Sequence, residues 1–207
     1  MKLKEVKRLI SLSSYEDDLF LNGYRRIAGV DEVGRGSLAG PLVAAAVILD
    51  RKKLMIENLN DSKKLSKEKR EYIFKKIMES CVCWSVAKVS PQKIDELSVG
   101  NANILAIEKA VKKLKIKPDV VLIDYISVNL NVETLPIING DELSVSIAAA
   151  SIIAKVIRDS MMIKLSKYYP EYGFESNKGY GTKDHLKSLR EYGPSVVHRV
   201  SFKGVLS

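Results

Sequence analysis

The chain has 207 residues, 46% of them hydrophobic and 29% charged, with a formal net charge of +9. That composition excludes a disordered chain, a collagen-like repeat and a disulfide scaffold, and the length suits one large domain with its own core. The positive excess fits an anionic partner such as nucleic acid, and it fits a lysine-rich solubilising surface equally well.

Residues 1–26 predict a short amphipathic helix (Leu3, Val6, Leu9, Ile10), then a polar turn and Tyr24-Arg25-Arg26. The segment MKLKEVKRLISLSSY lacks the apolar centre and cleavage site of a signal peptide. The longest uncharged runs, Gly36–Leu49 and Leu143–Ala154, are too short to span a bilayer. A cytoplasmic protein without membrane association is expected. Cys81 and Cys83 are too close in sequence for good disulfide geometry, which suits a reducing compartment. Two cysteines, with two histidines far apart in sequence, give no zinc pattern.

The stretch Ile27–Leu49 carries the densest pattern. Two apolar runs, Ile27–Val30 and Val43–Leu49, flank a Gly/Pro-rich segment, which predicts a hairpin or tight meander. The first run meets Asp31 and Glu32, followed by Gly34, Arg35, Gly36 and Gly40. Neighbouring strand residues point to opposite faces, so both acids can reach one ligand only near a strand end. The glycines leave backbone N–H groups open to close approach. A polar strand end with a glycine turn has the same pattern.

Arg51–Lys76 holds ten Lys/Arg against four Asp/Glu. Asp61–Arg70 reads as a loop, with Ser66 capping a helix to about Glu79. Lys63 and Lys64 on that loop suit phosphate contact or a solvated face. Cys81–Val89 predicts a strand, Pro91–Leu97 a short helix and Gly100–Leu114 a longer one. Asn103 caps or lines that longer helix, a cap being the default for Asn near a helix start. Pro118–Ile123 is a central strand buried on both faces, ending in Asp124, where α/β sheets place chemistry. Thr134–Ile138 is another strand, ahead of Asn139, Gly140 and Asp141. Val145–Lys167 is an alanine-rich helix suited to close packing on a sheet. Within it, Asp159 reads as an ion partner for Arg158 or Lys155. Tyr168–Thr182 is a loop of glycines and aromatics with Lys178, suited to stacking on a base or sugar or to covering a core. Thr182 then caps a last helix ending at Gly193–Pro194.

Asp31, Glu32, Asp124 and Asp141 each follow an apolar segment or adjoin glycine. Brought together, four carboxylates repel unless cations hold them. Magnesium suits such an all-oxygen set. Two ions roughly 3.5–4 Å apart activate a water and stabilise a leaving oxygen in phosphodiester cleavage. Four unrelated surface acids fit the same residues.

The segments GVDEVGRGSLAGPLVAAAV, DSKKLS, VLID, NGDELSVSIAAASIIAKVIRD, YPEYGFESNKGYGT and HRVSF run in this order through most of Ile27–Phe202. Together they resemble the type 2 ribonucleases H, bacterial ribonuclease HII. The resemblance implies an α/β, RNase H-like fold: a mixed five-stranded sheet flanked by helices, with a small helical C-terminal region. It divides the chain into an N-terminal helical segment (1–26), a catalytic domain (27–168) and a loop-helix region completing the substrate site (169–207). It implies hydrolysis of the RNA strand of RNA–DNA hybrids and incision 5′ to a ribonucleotide embedded in duplex DNA, leaving a 3′-hydroxyl and a 5′-phosphate. The cofactor implied is Mg²⁺ or Mn²⁺ in a two-metal arrangement. The partner implied is the hybrid or ribonucleotide-bearing duplex, and a monomer is the expected state.

By motif, Asp31, Glu32, Asp124 and Asp141 carry over as the metal-binding catalytic acids. Gly34, Arg35 and Gly36 place backbone groups against the ribose 2′-OH, and Tyr180 stacks on the sugar of the following deoxynucleotide. Lys63, Asn103, Ser151 and Lys155 are further candidates for backbone or phosphate contacts. Two residues depart from the pattern: Asn139 stands where a lysine commonly precedes Gly-Asp, and Tyr125 follows Asp124 where glycine is usual. A non-catalytic nucleic-acid-binding module of the same fold is the competing expectation.

Overall fold

Ile27–Val33 (β1) and Leu42–Leu49 (β2) pair antiparallel, with Ala28 opposite Ile48 and Val33 opposite Val43. The expected hairpin-like connection is therefore present. A computed structural model describes residues 1–206 of the chain. Cys81–Val89 (β3) adds antiparallel to β2, while Val120–Asp124 (β4) and Glu133–Ile137 (β5) add parallel on the other side. The order β3-β2-β1-β4-β5 makes a mixed five-stranded sheet, as expected. Every residue of β2 is buried, because helices cover both faces of the sheet.

Val145–Ser166 (α7) lies against one face, together with Lys67–Ser80 (α3). Pro91–Leu97 (α4) and Val99–Lys112 (α5) pack on the other. Small residues make the α7 contact possible: Ala148, Ala149, Ala150 and Ala154 are buried. At the crossing, a Cβ on Gly29 would sit 2.1 Å from the Ser146 carbonyl carbon. Only glycine permits that approach. A third apolar cluster joins Leu38 and Ala39, just before β2, to Met162 and to Tyr172, Phe174 and Leu189 near the C-terminus. It brings Phe174–Asn177 (α8) and Lys183–Tyr192 (α9) beside the end of β1.

Local caps follow the residue types. Ser66 accepts from the Lys69 N–H and Thr182 from the His185 N–H, as their positions predict. Two expectations are corrected. The polar turn after Leu3–Leu12 (α1) is a second helix, Ser14–Leu21 (α2). It forms because Phe20 is buried and Glu16 accepts from the Ser144 hydroxyl and Ser146 N–H at the start of α7, partners supplied from far along the chain. Asn103 does not cap; it lies inside α5, buried. Asp159 pairs with Lys155 at 2.8 Å, one of its two expected partners, and also with Arg70 at 3.4 Å. Among the described residues, no helix is long and apolar enough to cross a membrane.

Candidate active site

β1 and β4 run parallel as neighbours, so their carboxyl ends share one edge of the sheet. Their mutual pairing stops at Val30 opposite Ile123, which leaves Asp31, Glu32 and Asp124 just past the last paired residues. Pairing of β1 to β2 continues, with Asp31 opposite Ala45 and Glu32 opposite Ala44. The strand alternation holds. Ala45 belongs to the apolar layer under α7, and Ala44 to the layer under α5. Asp31 accordingly feels Ser151 of α7, whereas Glu32 feels Asn103 of α5. Asp124 repels both, so the three carboxylates share one end of the sheet.

Asp124 is aligned by the Gly140 N–H, which donates to its Oδ1 at 2.8 Å. That N–H opens the short helix Gly140–Leu143 (α6), whose first turn carries Asp141. Asn139 precedes it in the left-handed region (φ 56°), a conformation Asn tolerates better than most residues. Tyr125 also has φ 63°, where glycine is favoured, so the residue after Asp124 holds a conformation costly for tyrosine.

The electrostatics are those of crowded acids. Burial raises Asp31 well above the usual carboxylate range, and Glu32 and Asp124 push it further. Burial also raises Glu32, with Asp124 adding repulsion while Arg35 opposes. Asp141 is raised by burial and by Asp61 and Asp124, with the Lys63 ammonium, 3.3 Å from its Oδ2, working against them. Among the described residues, no three His, Cys, Asp or Glu side chains are grouped closely enough to hold a metal ion by themselves.

Of the remaining residues singled out from the sequence, Ser151 and Asn103 lie beside these acids, whereas Gly34, Lys155 and Tyr180 gather around Arg158. The Ser151 hydroxyl, beside Asp31, is 3.0 Å from that of Ser62. Neither the nitrogen nor the oxygen of the buried Asn103 amide, beside Glu32, completes a hydrogen bond. The Tyr180 ring lies over the Arg158 guanidinium (5.4 Å) and near the Lys155 ammonium (5.9 Å). Gly34 (φ 93°) sits against Arg158, where a Cβ would come within 2.2 Å of Nε. Arg35 and Gly36 are exposed at the rim.

Sequence reasoning passed over what lies beneath. Arg158 and Arg199 are fully buried and donate to backbone carbonyls: Arg158 to Pro41, Ala39 and Lys178, Arg199 to Gly40 and Arg35. His185 and His198 meet Nε2 to Nε2 at 3.0 Å. Since His185 Nδ1 faces the Tyr180 carbonyl and His198 Nδ1 accepts from the Ser195 N–H, both tautomers follow. His198 Nε2–H donates to His185, and His185 Nδ1–H donates to Tyr180. The turn after α9 returns the chain and brings together two histidines that are well separated in sequence. The one hint in the sequence was the HRVSF segment, which holds both His198 and Arg199.

A model of the ribonuclease HII family matches residues 28–205. The chain belongs to the ribonuclease HII family. It is 49% identical to the ribonuclease HII of Caldicellulosiruptor bescii over the full length of both chains. It is 45% identical to that of Clostridioides difficile strain 630, over 96% of this chain and 78% of the relative. Among solved structures, the ribonuclease H2 of Pyrococcus horikoshii OT3 superposes with a TM-score of 0.77 at 28% identity, over 87% of this chain and 95% of that one. The RNase HII of Archaeoglobus fulgidus, solved as a complex with PCNA, gives 0.75 at 28% identity, over 86% and 96%. As a ribonuclease HII, the chain is an endoribonuclease, a hydrolase of phosphodiester bonds.

Proposed function

We propose that this ribonuclease HII hydrolyses the RNA strand of RNA–DNA hybrids and incises duplex DNA 5′ to a single embedded ribonucleotide. The observation that carries this reading is the mutual repulsion of acids gathered at two adjacent strand ends, with Asp31, Glu32 and Asp141 all raised. Lys63 and Arg35 offset only part of that repulsion, since all three acids stay raised, and a hard, all-oxygen donor set fits Mg²⁺ or Mn²⁺. The open arrangement also fits, because magnesium is commonly held by one or two carboxylates with water and substrate phosphate filling the rest. Asp31, Glu32, Asp124 and Asp141 would hold the cations, which when bound activate a water and stabilise the leaving oxygen. The products are a 3′-hydroxyl and a 5′-phosphate.

The chain's own residues supply position and selectivity. The Gly34–Gly36 backbone, exposed at Arg35 and Gly36, meets the ribose 2′-OH, the group that distinguishes RNA from DNA. Tyr180, braced from behind by Arg158, stacks on the next sugar. Lys63 and Lys155 offer charge to phosphates, while Ser151 and the unpartnered Asn103 amide offer hydrogen bonds to the substrate backbone. The enzyme works as a monomer in the cytoplasm.

The test uses a labelled DNA duplex with one ribonucleotide, an all-DNA control, and Mg²⁺, Mn²⁺ or chelator. One metal-dependent cut 5′ to the ribonucleotide, with none in the control, is expected. Binding without cutting in either metal would favour a non-catalytic binding module. Cutting of both duplexes would make the 2′-OH irrelevant.

A further inference from the structure

Arg199 is buried to 0% exposure, and all its side-chain hydrogen bonds go to two backbone carbonyls. Nε and Nη2 donate to Gly40 O at 3.2 and 3.0 Å, and Nη1 donates to Arg35 O at 2.9 Å. No carboxylate forms an ion pair with it among the described residues; the Phe202 ring covers it at 5.1 Å. A planar guanidinium presents its donors in a fixed fork, so carbonyls at either end of the Arg35–Gly40 turn are held in one defined geometry. Burial lowers its pKa to about 9, which marks this as a costly way to fasten a loop.

The turn does not need that side chain to stay attached. The Arg199 N–H already donates to Leu38 O at 2.8 Å, and Ala39 bridges to His198. What the side chain adds is the orientation of one peptide plane. In a planar trans peptide, the C=O of one residue and the N–H of the next point in opposite directions. With the Arg35 carbonyl drawn inward to Arg199, the Gly36 N–H faces outward. Gly36 is exposed, its N–H has no partner among the described residues, and a Cβ there would meet nothing within 4 Å.

We propose that Arg199 is a positioning residue for recognition of the ribose 2′-OH, acting through the Arg35 carbonyl to aim the Gly36 N–H at the substrate. This rests on the reading above, in which the Gly34–Gly36 backbone meets that hydroxyl. Lysine at 199 would keep the charge and the backbone ties but lose the fork. Methionine would keep the bulk alone.

The test measures affinity for a duplex with one ribonucleotide and for its all-DNA counterpart, in an Asp124→Asn background that prevents cutting. Arg199→Lys, Arg199→Met and Gly36→Ala, which keeps the N–H but sets a methyl group where the ribose must approach it, are compared with the parent. Each is expected to lower the preference for the ribonucleotide duplex by about tenfold, the scale of one hydrogen bond, with affinity for the all-DNA duplex little changed. A role confined to folding would move Tm and leave that ratio alone. An unchanged ratio in folded Arg199 variants, with Gly36→Ala defective, overturns the positioning role only. An unchanged ratio in all three overturns the Gly34–Gly36 reading as well. If neither Arg199 variant folds, the Gly36 amide resonance of the parent decides. It should shift with the ribonucleotide duplex and not with the all-DNA one, and an equal response to both overturns the proposal.

Discussion

The Lys63 ammonium stands 3.3 Å from the Asp141 carboxylate, reaching from the loop before α3 to the first turn of α6. Lys63 is mostly exposed and Asp141 mostly buried, so the contact contributes little to stability and much to the protonation of Asp141. Lys63 opposes the burial and repulsion that raise Asp141. Removing it as Lys63→Met should raise that pKa further. The acid limb of the pH profile of kcat/KM should then move to higher pH, with activity falling severalfold at pH 6 and less at pH 8. An unmoved limb would separate Asp141 protonation from catalysis.

Asp31 carries a stability cost at neutral pH. Its folded pKa lies above the unfolded value near 3.8, so the fold favours the protonated form. The carboxyl therefore destabilises the fold as pH rises through that raised pKa, and the cost vanishes below the unfolded one. Asp31→Asn should abolish cleavage and, at pH 7, stabilise the fold by about 1–2 kcal/mol, a Tm gain of roughly 2–8 °C. Near pH 3 the two proteins should melt together. Equal Tm at both pH values would mean that Asp31 is not strained by its neighbours.

Tyr125 adopts φ 63° with its ring largely exposed. The left-handed conformation costs a non-glycine residue about 1–2 kcal/mol, part of which glycine returns through its freer unfolded chain. Tyr125→Gly should thus stabilise by about 0.5–1 kcal/mol, seen as a higher urea midpoint with unchanged slope. A loss of stability would show that the tyrosine makes a compensating contact.

The His185–His198 pair makes acid sensitivity a property of the Tyr180 loop. Burial, then repulsion from His185, lowers His198 to about 4, and burial lowers His185. Both are depressed relative to the unfolded chain, so the neutral pair contributes stability above about pH 6.5 that declines as pH falls towards 4. Carboxyls with raised pKa values change in the opposite sense, so the informative quantity is a difference. The Tm gap between the parent and His198→Gln should narrow steadily from pH 7 to pH 4.5. A constant gap would mean that the pair does not titrate with folding.

By itself the sequence determined the strands, the long helices and the residues at their ends. An apolar run that stops at a carboxylate, as at Asp124, reveals a buried strand and its terminus together, because burial and charge are both local properties. The caps at Ser66 and Thr182 were legible for the same reason. Asp31, Glu32, Asp124 and Asp141 could be nominated in this way, but not their geometry. That Asp31 turns towards α7 and Glu32 towards α5, with Asp124 at the end of the neighbouring strand, became visible only in three dimensions, since it depends on which strand lies beside β1. The tertiary structure also decided that Glu16 forms hydrogen bonds at the start of a helix more than a hundred residues away, and that Asn103 lines α5 instead of capping it. Arg158 and Arg199 look like surface charges in the sequence. They are buried because carbonyls from remote turns satisfy their donors, and no local pattern encodes a partner that distant.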